Sequence, residues 1–325
     1  MSSLPRTMNA VLIRRFGGPE VVEIAEVPVP EPGAGELLVK VEAASLNPVD
    51  YKIRAGRYPL VGEHGLPYVL GRDFSGTVVH SGEAGFPAGT LVHGLLGIER
   101  GSFAQYVVAR GDEVAPVPGT LDRNTGAALP LAGLTAWQGL FEHGRLQPGQ
   151  SVLIHAGAGG VGHLAVQLAK ARGATVYTTV SDENTAFAAS LGADEVIDYA
   201  KERFEERVRD VDLVYDLVGG ETQERSWAVL KKGGTLVCTV AEPSQDRARE
   251  LGVRALRYTA SSDGGQLREI DGLVDAGKVR PFVRRRFEFG AAAQALQSLE
   301  DGHVTGKIVL DMATTITGAP AHPWQ

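Results

Sequence analysis

Three glycines, Gly157, Gly159 and Gly162, have the G-x-G-x-x-G spacing and lie between a short apolar run and a helical pattern. In such a turn the first glycine permits the sharp bend, the second lets the backbone approach a pyrophosphate, and the third lets strand and helix pack closely. The amides at the helix N-terminus favour negative charge. We therefore predict a dinucleotide site, with a turn that holds no ligand as the alternative. Its predicted contacts are Gly157, Ala158, Gly159, Gly160, Val161 and Gly162.

The end of the next predicted strand, Thr175–Val180, indicates which dinucleotide binds. NAD-binding sites place an acidic residue about 20 residues beyond the glycines, where it binds the ribose 2′-hydroxyl. Here Ser181 follows the strand, and Asp182 and Glu183 come one or two positions later. These acids select the cofactor or, alternatively, offset the dipole of the next helix. The small hydroxyl of Ser181 leaves room for a 2′-phosphate and favours NADPH over NADH, although no Arg or Lys stands at this turn.

Strands and helices alternate after Pro118, which predicts an α/β doubly wound parallel sheet of the Rossmann type with six strands. The first of these strands precedes the glycine turn. The other predicted strands are Thr175–Val180, Glu195–Asp198, Leu213–Asp216, Thr235–Val240 and Arg254–Tyr258. The predicted helices are Gly160–Arg172, Glu183–Leu191, Lys201–Val208 and Glu221–Leu230.

The chain before Pro118 has a different character, because short β-branched runs are separated by Gly and Pro, as in a β-rich, partly open barrel. From about Ser262 an amphipathic helix, the run VRRRFEF and the closing GKIVL predict a return to this first domain. The predicted division is 1–120, 121–261 and 262–325, with a cleft between the two domains.

The composition bounds the class of protein. A chain of 325 residues, 43% hydrophobic and 22% charged, is long enough for two soluble domains. No apolar run reaches the roughly 18 residues of a membrane span and the N-terminus lacks a signal-peptide pattern, so we expect no membrane and a cytoplasmic location. The net charge of −7 makes nucleic acid an unexpected partner, and the basic run Val283–Phe287 is interpreted as a solvated strand face.

Cysteine content limits the possible metal chemistry. Cys238 is the single cysteine, which excludes an intramolecular disulfide, a C-x-x-C redox pair and a thiolate-rich zinc site. Its apolar surroundings, TLVCTV, indicate a buried residue. His64 and His93 resemble metal ligands, but without cysteines we predict no metal.

Seven motifs occur in order along the chain: LNPVDYKIRAGRYP, LPYVLGRDFSG, LPLAGLTAW, HAGAGGVG, SLGADEVIDY, LVYDLVGG and GKIVL. Together they resemble the zinc-free quinone oxidoreductase (zeta-crystallin-like) branch of the medium-chain dehydrogenase/reductase superfamily over nearly the whole length. The resemblance implies a GroES-like catalytic domain, a Rossmann domain that binds NADPH, and hydride transfer to a quinone or an activated C=C bond. It also implies a homodimer joined through the sheet edges of the cofactor domains.

The resemblance also implies individual site residues. Asn47 matches a residue near the nicotinamide, Thr135 one that lines the cofactor, and Tyr199 one that contacts the 2′-phosphate. The other residues assigned to the cofactor are Leu217, Val218, Gly219, Val240, Ala241 and Lys307. Two positions depart from the pattern. Asn184 or Thr185 stands where many relatives have lysine, and Lys52, where quinone reductases often have tyrosine, is shared with alkenal and enone reductases.

Reduction of an enone needs electrophilic help at the carbonyl and a proton for the carbanion. Tyr58 matches a proton-donating tyrosine of related enoyl thioester reductases, and Lys52 is a cation able to polarise a carbonyl, so both are candidate catalytic residues with Asn47. The alternatives are an aromatic loop anchor for Tyr58, a solvated side chain for Lys52, and an Asp50 that orients the loop or pairs with Arg54.

The leading hypothesis is an NADPH-dependent reductase of small-molecule quinones or α,β-unsaturated carbonyls that uses no zinc. The alternative is a protein that binds NADPH with little turnover and acts as a sensor, scaffold or crystallin-like component. A zinc alcohol dehydrogenase is disfavoured because the thiolate ligands are missing.

Overall fold

The strands form two main sheets and one small one in the computed structural model, which describes residues 4–82, 85–302 and 304–312. The strands are β1 Thr7–Ile13, β2 Val22–Pro28, β3 Glu36–Ser45, β4 Tyr68–Val69, β5 Asp73–Ser81, β6 Leu91–Leu95, β7 Tyr106–Arg110, β8 Val114–Pro116, β9 Ser151–His155, β10 Thr175–Val180, β11 Glu195–Asp198, β12 Val211–Asp216, β13 Leu230–Cys238, β14 Arg254–Arg257, β15 Val283–Glu288 and β16 Lys307–Asp311. The α-helices are α1 Pro48–Arg54, α2 Arg123–Ala127, α3 Pro130–Trp137, α4 Gly162–Ala171, α5 Thr185–Ser190, α6 Phe204–Arg207, α7 Gly220–Ser226, α8 Gln245–Leu251, α9 Gly264–Asp275 and α10 Ala292–Glu300.

The second half of the chain builds a parallel sheet in the order β11-β10-β9-β12-β13-β14. This confirms the predicted six-stranded, doubly wound α/β fold. The central strand β9 is buried through Val152, Leu153 and Ile154, as expected for a parallel strand with both faces covered. Side chains from the two faces of the sheet belong to separate hydrophobic clusters, one containing Val152 and Ile154 and the other Leu153.

Several strand boundaries differ from their predictions, and the largest difference is at β13. Strand β13 runs from Leu230 to Cys238, whereas the sequence pattern suggests Thr235–Val240. The strand ends early because the Cys238 sulfur accepts the backbone N–H groups of Val240 and Ala241, each at 3.3 Å, and turns the chain away from the sheet. The predicted helix Glu221–Leu230 likewise ends before Leu230, which begins β13.

The β-rich part has a sheet in the order β15-β16-β3-β5-β6-β8, with β7 paired to β3, and a small sheet β2-β1-β4. Strand β16 pairs antiparallel with β3, so residues 307–311 belong to the same sheet as β3. The division at residues 120 and 261 stays a prediction, and both positions fall outside the strands.

Two further features of the fold concern the basic run in β15 and the character of the helices. Arg284, Arg285 and Arg286 of β15 are exposed, in agreement with a solvated strand face. Over the part of the chain that the structure describes, no helix combines the length and apolar character needed to cross a membrane.

Candidate active site

A cleft of about 560 Å³ is lined by residues from both main sheets and their connecting segments. It brings together segments from the start, middle and end of the chain. The predicted site residues that line it are Asn47, Lys52, Tyr58, Thr135, Gly159, Gly160, Val161, Gly162, Leu217, Val240 and Lys307. The predicted residues that lie outside its lining are Gly157, Ala158, Ser181, Tyr199, Val218, Gly219 and Ala241.

The glycine turn has an inner and an outer side. A Cβ on Gly157 would lie 1.9 Å from Thr178 Oγ1, and one on Gly162 would lie 2.1 Å from the Ala156 carbonyl oxygen. Gly157 therefore lets the turn pack against β10, and Gly162 lets the start of α4 pack against the end of β9. A Cβ on Gly159 would meet only the Ala156 oxygen, at 3.3 Å, so the backbone there is open toward the cleft. Gly157 and Ala158 are buried and support this open surface from inside.

Two loops from the parallel sheet complete the cofactor side of the cleft. The carboxylate of Asp216, at the end of β12, accepts the backbone N–H groups of Val218 and Gly219, both at 2.9 Å. This turn leaves Leu217 in the cleft lining. Thr135 lies opposite on α3, where its hydroxyl donates to the Leu131 carbonyl at 2.6 Å.

Asn47 begins α1 and is held by its own helix. Its backbone N–H donates to Asp50 Oδ2 at 2.7 Å, and Pro48 occupies the first helical position. Asp50 therefore orients the loop and does not pair with Arg54, whose guanidinium bonds Glu300 instead. The second oxygen of Asp50, Oδ1, is buried without a hydrogen-bond partner among the described residues, and burial raises the pKa of this carboxyl to about 7.

A buried polar network fixes the side chain of Asn47. Lys307 donates from Nζ to Asn47 Oδ1 and to the Leu46 carbonyl, the latter at 3.0 Å. Asn47 Nδ2 in turn donates to Asp73 Oδ1 at 2.6 Å. Because Lys307 is fully buried, desolvation lowers its pKa, while the carboxylates of Asp73 and Asp50 oppose that shift. The carboxamide is thus held in one orientation by Lys307 and Asp73, which come from two other segments of the chain.

The outer part of the cleft carries the two candidate catalytic side chains. Tyr58 is half-buried against the core of the β-rich domain, and its hydroxyl makes no hydrogen bond with any described residue. Lys52 is half-buried as well. Burial lowers the pKa of its ammonium group, and the positive charges of Arg257 and Arg57 lower it further.

The ends of β10 and β11 meet at the predicted 2′-phosphate position. The hydroxyl of Ser181 accepts a hydrogen bond from Asn184 Nδ2 at 2.8 Å, and Tyr199 is 58% exposed. The sequence places no cation at this turn, but the fold does. Lys201 Nζ lies 2.7 Å from Asp182 Oδ1 and 3.2 Å from Asp198 Oδ2. Its position three residues beyond Asp198, at the end of the neighbouring strand, is the signal that sequence reasoning missed.

Two parts of the chain match known domain families. Residues 33–119 match the alcohol dehydrogenase GroES-like domain, and residues 191–310 match a zinc-binding dehydrogenase domain. The 2-methylene-furan-3-one reductase of Solanum lycopersicum is 36% identical, covering 95% of this chain and 80% of that protein. The NADPH-dependent alkenal/one oxidoreductase of Arabidopsis thaliana, a chloroplastic protein, is 35% identical, covering 95% of this chain and 81% of that protein.

Among solved structures, the quinone oxidoreductase of Coxiella burnetii superposes with a TM-score of 0.88 at 38% identity, covering 94% of this chain and 99% of that chain. The chain belongs to the medium-chain dehydrogenase/reductase superfamily, in its quinone oxidoreductase branch. It is an oxidoreductase of that superfamily, and the cleft between its GroES-like and Rossmann-like parts is the candidate active site of the reductase.

One of the matched families is described as zinc-binding, but the side chains of this reductase do not fit a zinc ion. Across residues 4–82, 85–302 and 304–312 no three His, Cys, Asp or Glu side chains are grouped as metal ligands. His93 bonds the Gly126 carbonyl at 3.0 Å and Asp271 at 3.1 Å, and Cys238 is buried beside Asp216. The charged side chains that line the cleft are cations, which repel a metal ion.

A dinucleotide does fit the same cleft. Gly159 and Gly160 offer backbone without side chains, α4 begins directly after them, and Lys307 packs beneath Gly160, 3.3 Å from the position of a Cβ there. A negatively charged pyrophosphate is stabilised by such a helix N-terminus.

Proposed function

We propose that this protein is an NADPH-dependent reductase that transfers a hydride to quinones or α,β-unsaturated carbonyl compounds and uses no zinc. The observation that carries the proposal is a single cleft that joins the glycine turn, at Gly159 and Gly160, to Lys52 and Tyr58 of the other domain. The names of the tomato, Arabidopsis and Coxiella relatives support both acceptor classes.

The chain's residues divide the work of binding. The glycine turn and the N-terminus of α4 hold the pyrophosphate, and Asn47, fixed by Lys307, positions the nicotinamide together with Thr135. Ser181, Tyr199 and Lys201 hold the 2′-phosphate, which explains a preference for NADPH over NADH. When bound, NADPH supplies the hydride.

Two side chains, Lys52 and Tyr58, act on the acceptor during its reduction. Lys52 stabilises the negative charge that develops on the carbonyl oxygen during hydride transfer. Tyr58 supplies the proton that the resulting carbanion takes up, and solvent returns a proton to the tyrosine. Both side chains line the cleft on the side of the β-rich domain.

The proposal is tested by a panel assay with purified protein. We expect oxidation of NADPH, followed by its absorbance, in the presence of 1,4-benzoquinone, 9,10-phenanthrenequinone or 2-alkenals. Tight NADPH binding without turnover across the panel would contradict the proposal and favour the sensor or scaffold alternative. Stoichiometric zinc in the purified active protein would contradict the zinc-free mechanism.

We further propose a homodimer joined at the β14 edge of the Rossmann sheet, in a cytoplasmic protein. Strand β14 pairs with β13 on one side only, within the part of the chain that the structure describes. An unpaired strand edge presents N–H and C=O groups that a second copy satisfies. The resemblance to the quinone oxidoreductase branch supports this arrangement.

A further inference from the structure

The cleft differs in charge from the rest of the molecule. The chain has 39 acidic and 32 basic residues, a net charge of −7. Among the described residues that line the cleft, however, none is Asp or Glu, whereas five are cationic: Lys52, Arg57, Arg72, Arg257 and Lys307. Such a concentration of one sign attracts anionic ligands.

Three of these cations, Lys307, Arg72 and Arg57, have partners within the protein. Lys307 bonds Asn47 and lies near Asp73. Arg72 is buried and donates twice to one backbone carbonyl, that of Leu96, at 3.0 and 2.7 Å. These two groups belong to the inner wall of the cleft.

At the outer part of the cleft, Arg57 pairs with Glu300 at 2.7 Å. The side chains of Lys52 and Arg257 make no hydrogen bond or ion pair with any residue that the structure describes, and Arg257 is exposed. The charge of Arg257 lies close enough to lower the pKa of Lys52. Two like charges are therefore held near each other at the mouth without a compensating carboxylate.

The anionic groups of NADPH do not account for Arg257. In the proposed binding mode the pyrophosphate would lie at the end of β9, and the 2′-phosphate would lie farther away in the direction of β10 and β11. Strand β14, which ends with Arg257, is three strands from β9 on the opposite side, about 14 Å at the usual strand spacing. The remaining source of negative charge is the substrate.

We propose that Arg257 binds a carboxylate of the substrate, so that the preferred acceptor is an α,β-unsaturated ketone or aldehyde that carries a carboxylate group. This inference rests on the proposed reductase function. Since Lys52 is placed at the reacting carbonyl, one free guanidinium remains, and its planar fork matches one carboxylate. Neither the names of the relatives nor the quinones of the proposed function include such a carboxylate.

The reaction on such an acceptor balances as a two-electron reduction. The C=C bond becomes a single bond, one carbon receives the hydride from NADPH, and the other receives a proton from Tyr58. NADP⁺ is the oxidised product, and the carboxylate takes no part beyond binding.

The test compares trans-4-oxopent-2-enoate with its methyl ester, since these enones differ in charge. We expect kcat/KM of the wild-type protein to be about tenfold or more higher for the acid, in the range of a hydrogen bond to a charged group. This advantage decreases as salt is added, because salt screens exposed charges.

The decisive variant is Arg257→Gln, which removes the charge and keeps a shorter polar side chain. We expect kcat/KM for the acid to fall by about ten- to hundredfold and that for the ester to change less than about twofold. Arg257→Lys restores part of the preference, since a lysine keeps the charge and loses the fork. Arg209→Gln, at an exposed arginine outside the cleft lining, is the matched control and leaves both values unchanged.

A binding measurement adds a readout that does not depend on turnover. In the presence of NADP⁺, 4-oxopentanoate, the saturated product, is expected to bind the wild-type protein more tightly than its methyl ester, and to lose this advantage in Arg257→Gln. Equal kcat/KM for acid and ester, or a preference that survives in Arg257→Gln, would overturn the assignment while leaving the reductase function intact. Absence of turnover with both compounds and with the quinone and alkenal panel would overturn the reductase function itself.

Discussion

Tyr58 is the proposed proton donor, and this role depends on its hydroxyl group. Its hydroxyl borders the cleft without a hydrogen bond to any described residue, so it is free to meet a substrate. We expect Tyr58→Phe to lower kcat for enones by about 10²-fold, the usual range for a general acid. The dissociation constant of NADPH should stay nearly unchanged, because proton delivery acts on the transition state. Steady-state kinetics and fluorescence titration with NADPH measure the two quantities.

Tyr106→Phe is the control for this substitution. Tyr106 is a half-buried tyrosine of β7 outside the cleft lining, and its hydroxyl bonds no described residue. It should change neither quantity. Unaltered turnover in Tyr58→Phe would remove the tyrosine from the mechanism.

Asp50 predicts a pH dependence of stability. Burial raises its pKa in the folded protein from an ordinary value of 3.8 to about 7, so the folded state holds a proton that the unfolded state releases. Stability from the neutral carboxyl is present below pH 3.8 and is lost as the pH rises to about 7. Asp50→Asn stays neutral and keeps an acceptor for the N–H of Asn47. Its free energy of unfolding relative to wild type should therefore rise across this range, by roughly 1.4 kcal/mol for each pH unit.

Urea denaturation at several pH values measures this difference. Asp210→Asn is the control, because Asp210 is exposed and its left-handed backbone, with φ of 54°, suits asparagine as well. The control should show a difference from wild type that does not vary with pH. A pH-independent difference for Asp50→Asn would contradict the assignment of a buried neutral carboxyl.

At the scale of elements, the proposed 2′-phosphate site lies at the ends of the parallel strands β10 and β11. Their alignment brings Lys201 beside Asp182 and near Ser181. We expect Lys201→Gln to raise the dissociation constant of NADPH by about three- to tenfold and to leave that of NADH unchanged, because only NADPH carries the 2′-phosphate. Fluorescence titration with both cofactors measures this.

Lys278→Gln, at an exposed lysine after α9, is the matched control for this change. It should affect neither cofactor. An equal loss of affinity for NADPH and NADH in Lys201→Gln would show that the lysine supports the loop and does not recognise the phosphate.

At the scale of the whole molecule, the edge strand β14 is the proposed site of dimerisation. Two copies paired antiparallel along β14 would bring the Arg254 side chains of both copies close to one seam, whereas Arg257 lines the cleft. Like charges at such a seam repel, and added salt screens them. We therefore expect light scattering to give twice the 34.4 kDa of one chain, with a dimer that becomes tighter as salt is raised. A monomer at all protein and salt concentrations would contradict dimerisation.

Local sequence was sufficient for much of the Rossmann-like part. The predicted strands Thr175–Val180 and Glu195–Asp198 agree with β10 and β11 at both ends, and the glycine turn lies between β9 and α4 as expected. Apolar periodicity and glycine spacing are properties of neighbouring residues, so they are readable without the fold. The predicted end of β13 was wrong because the strand is terminated by contacts of the Cys238 side chain. Apolar periodicity does not encode such contacts.

The sequence by itself determined the fold class and predicted the dinucleotide turn, and its resemblance to a known family supplied the candidate residues Asn47, Lys52 and Tyr58. Only the tertiary structure decided what surrounds them: Lys307 meets Asn47 from 260 residues away, and Arg257 reaches the neighbourhood of Lys52. The physical reason is that a turn or a strand depends on adjacent residues. Desolvation and charge pairing depend instead on which distant side chains the packed domains bring together.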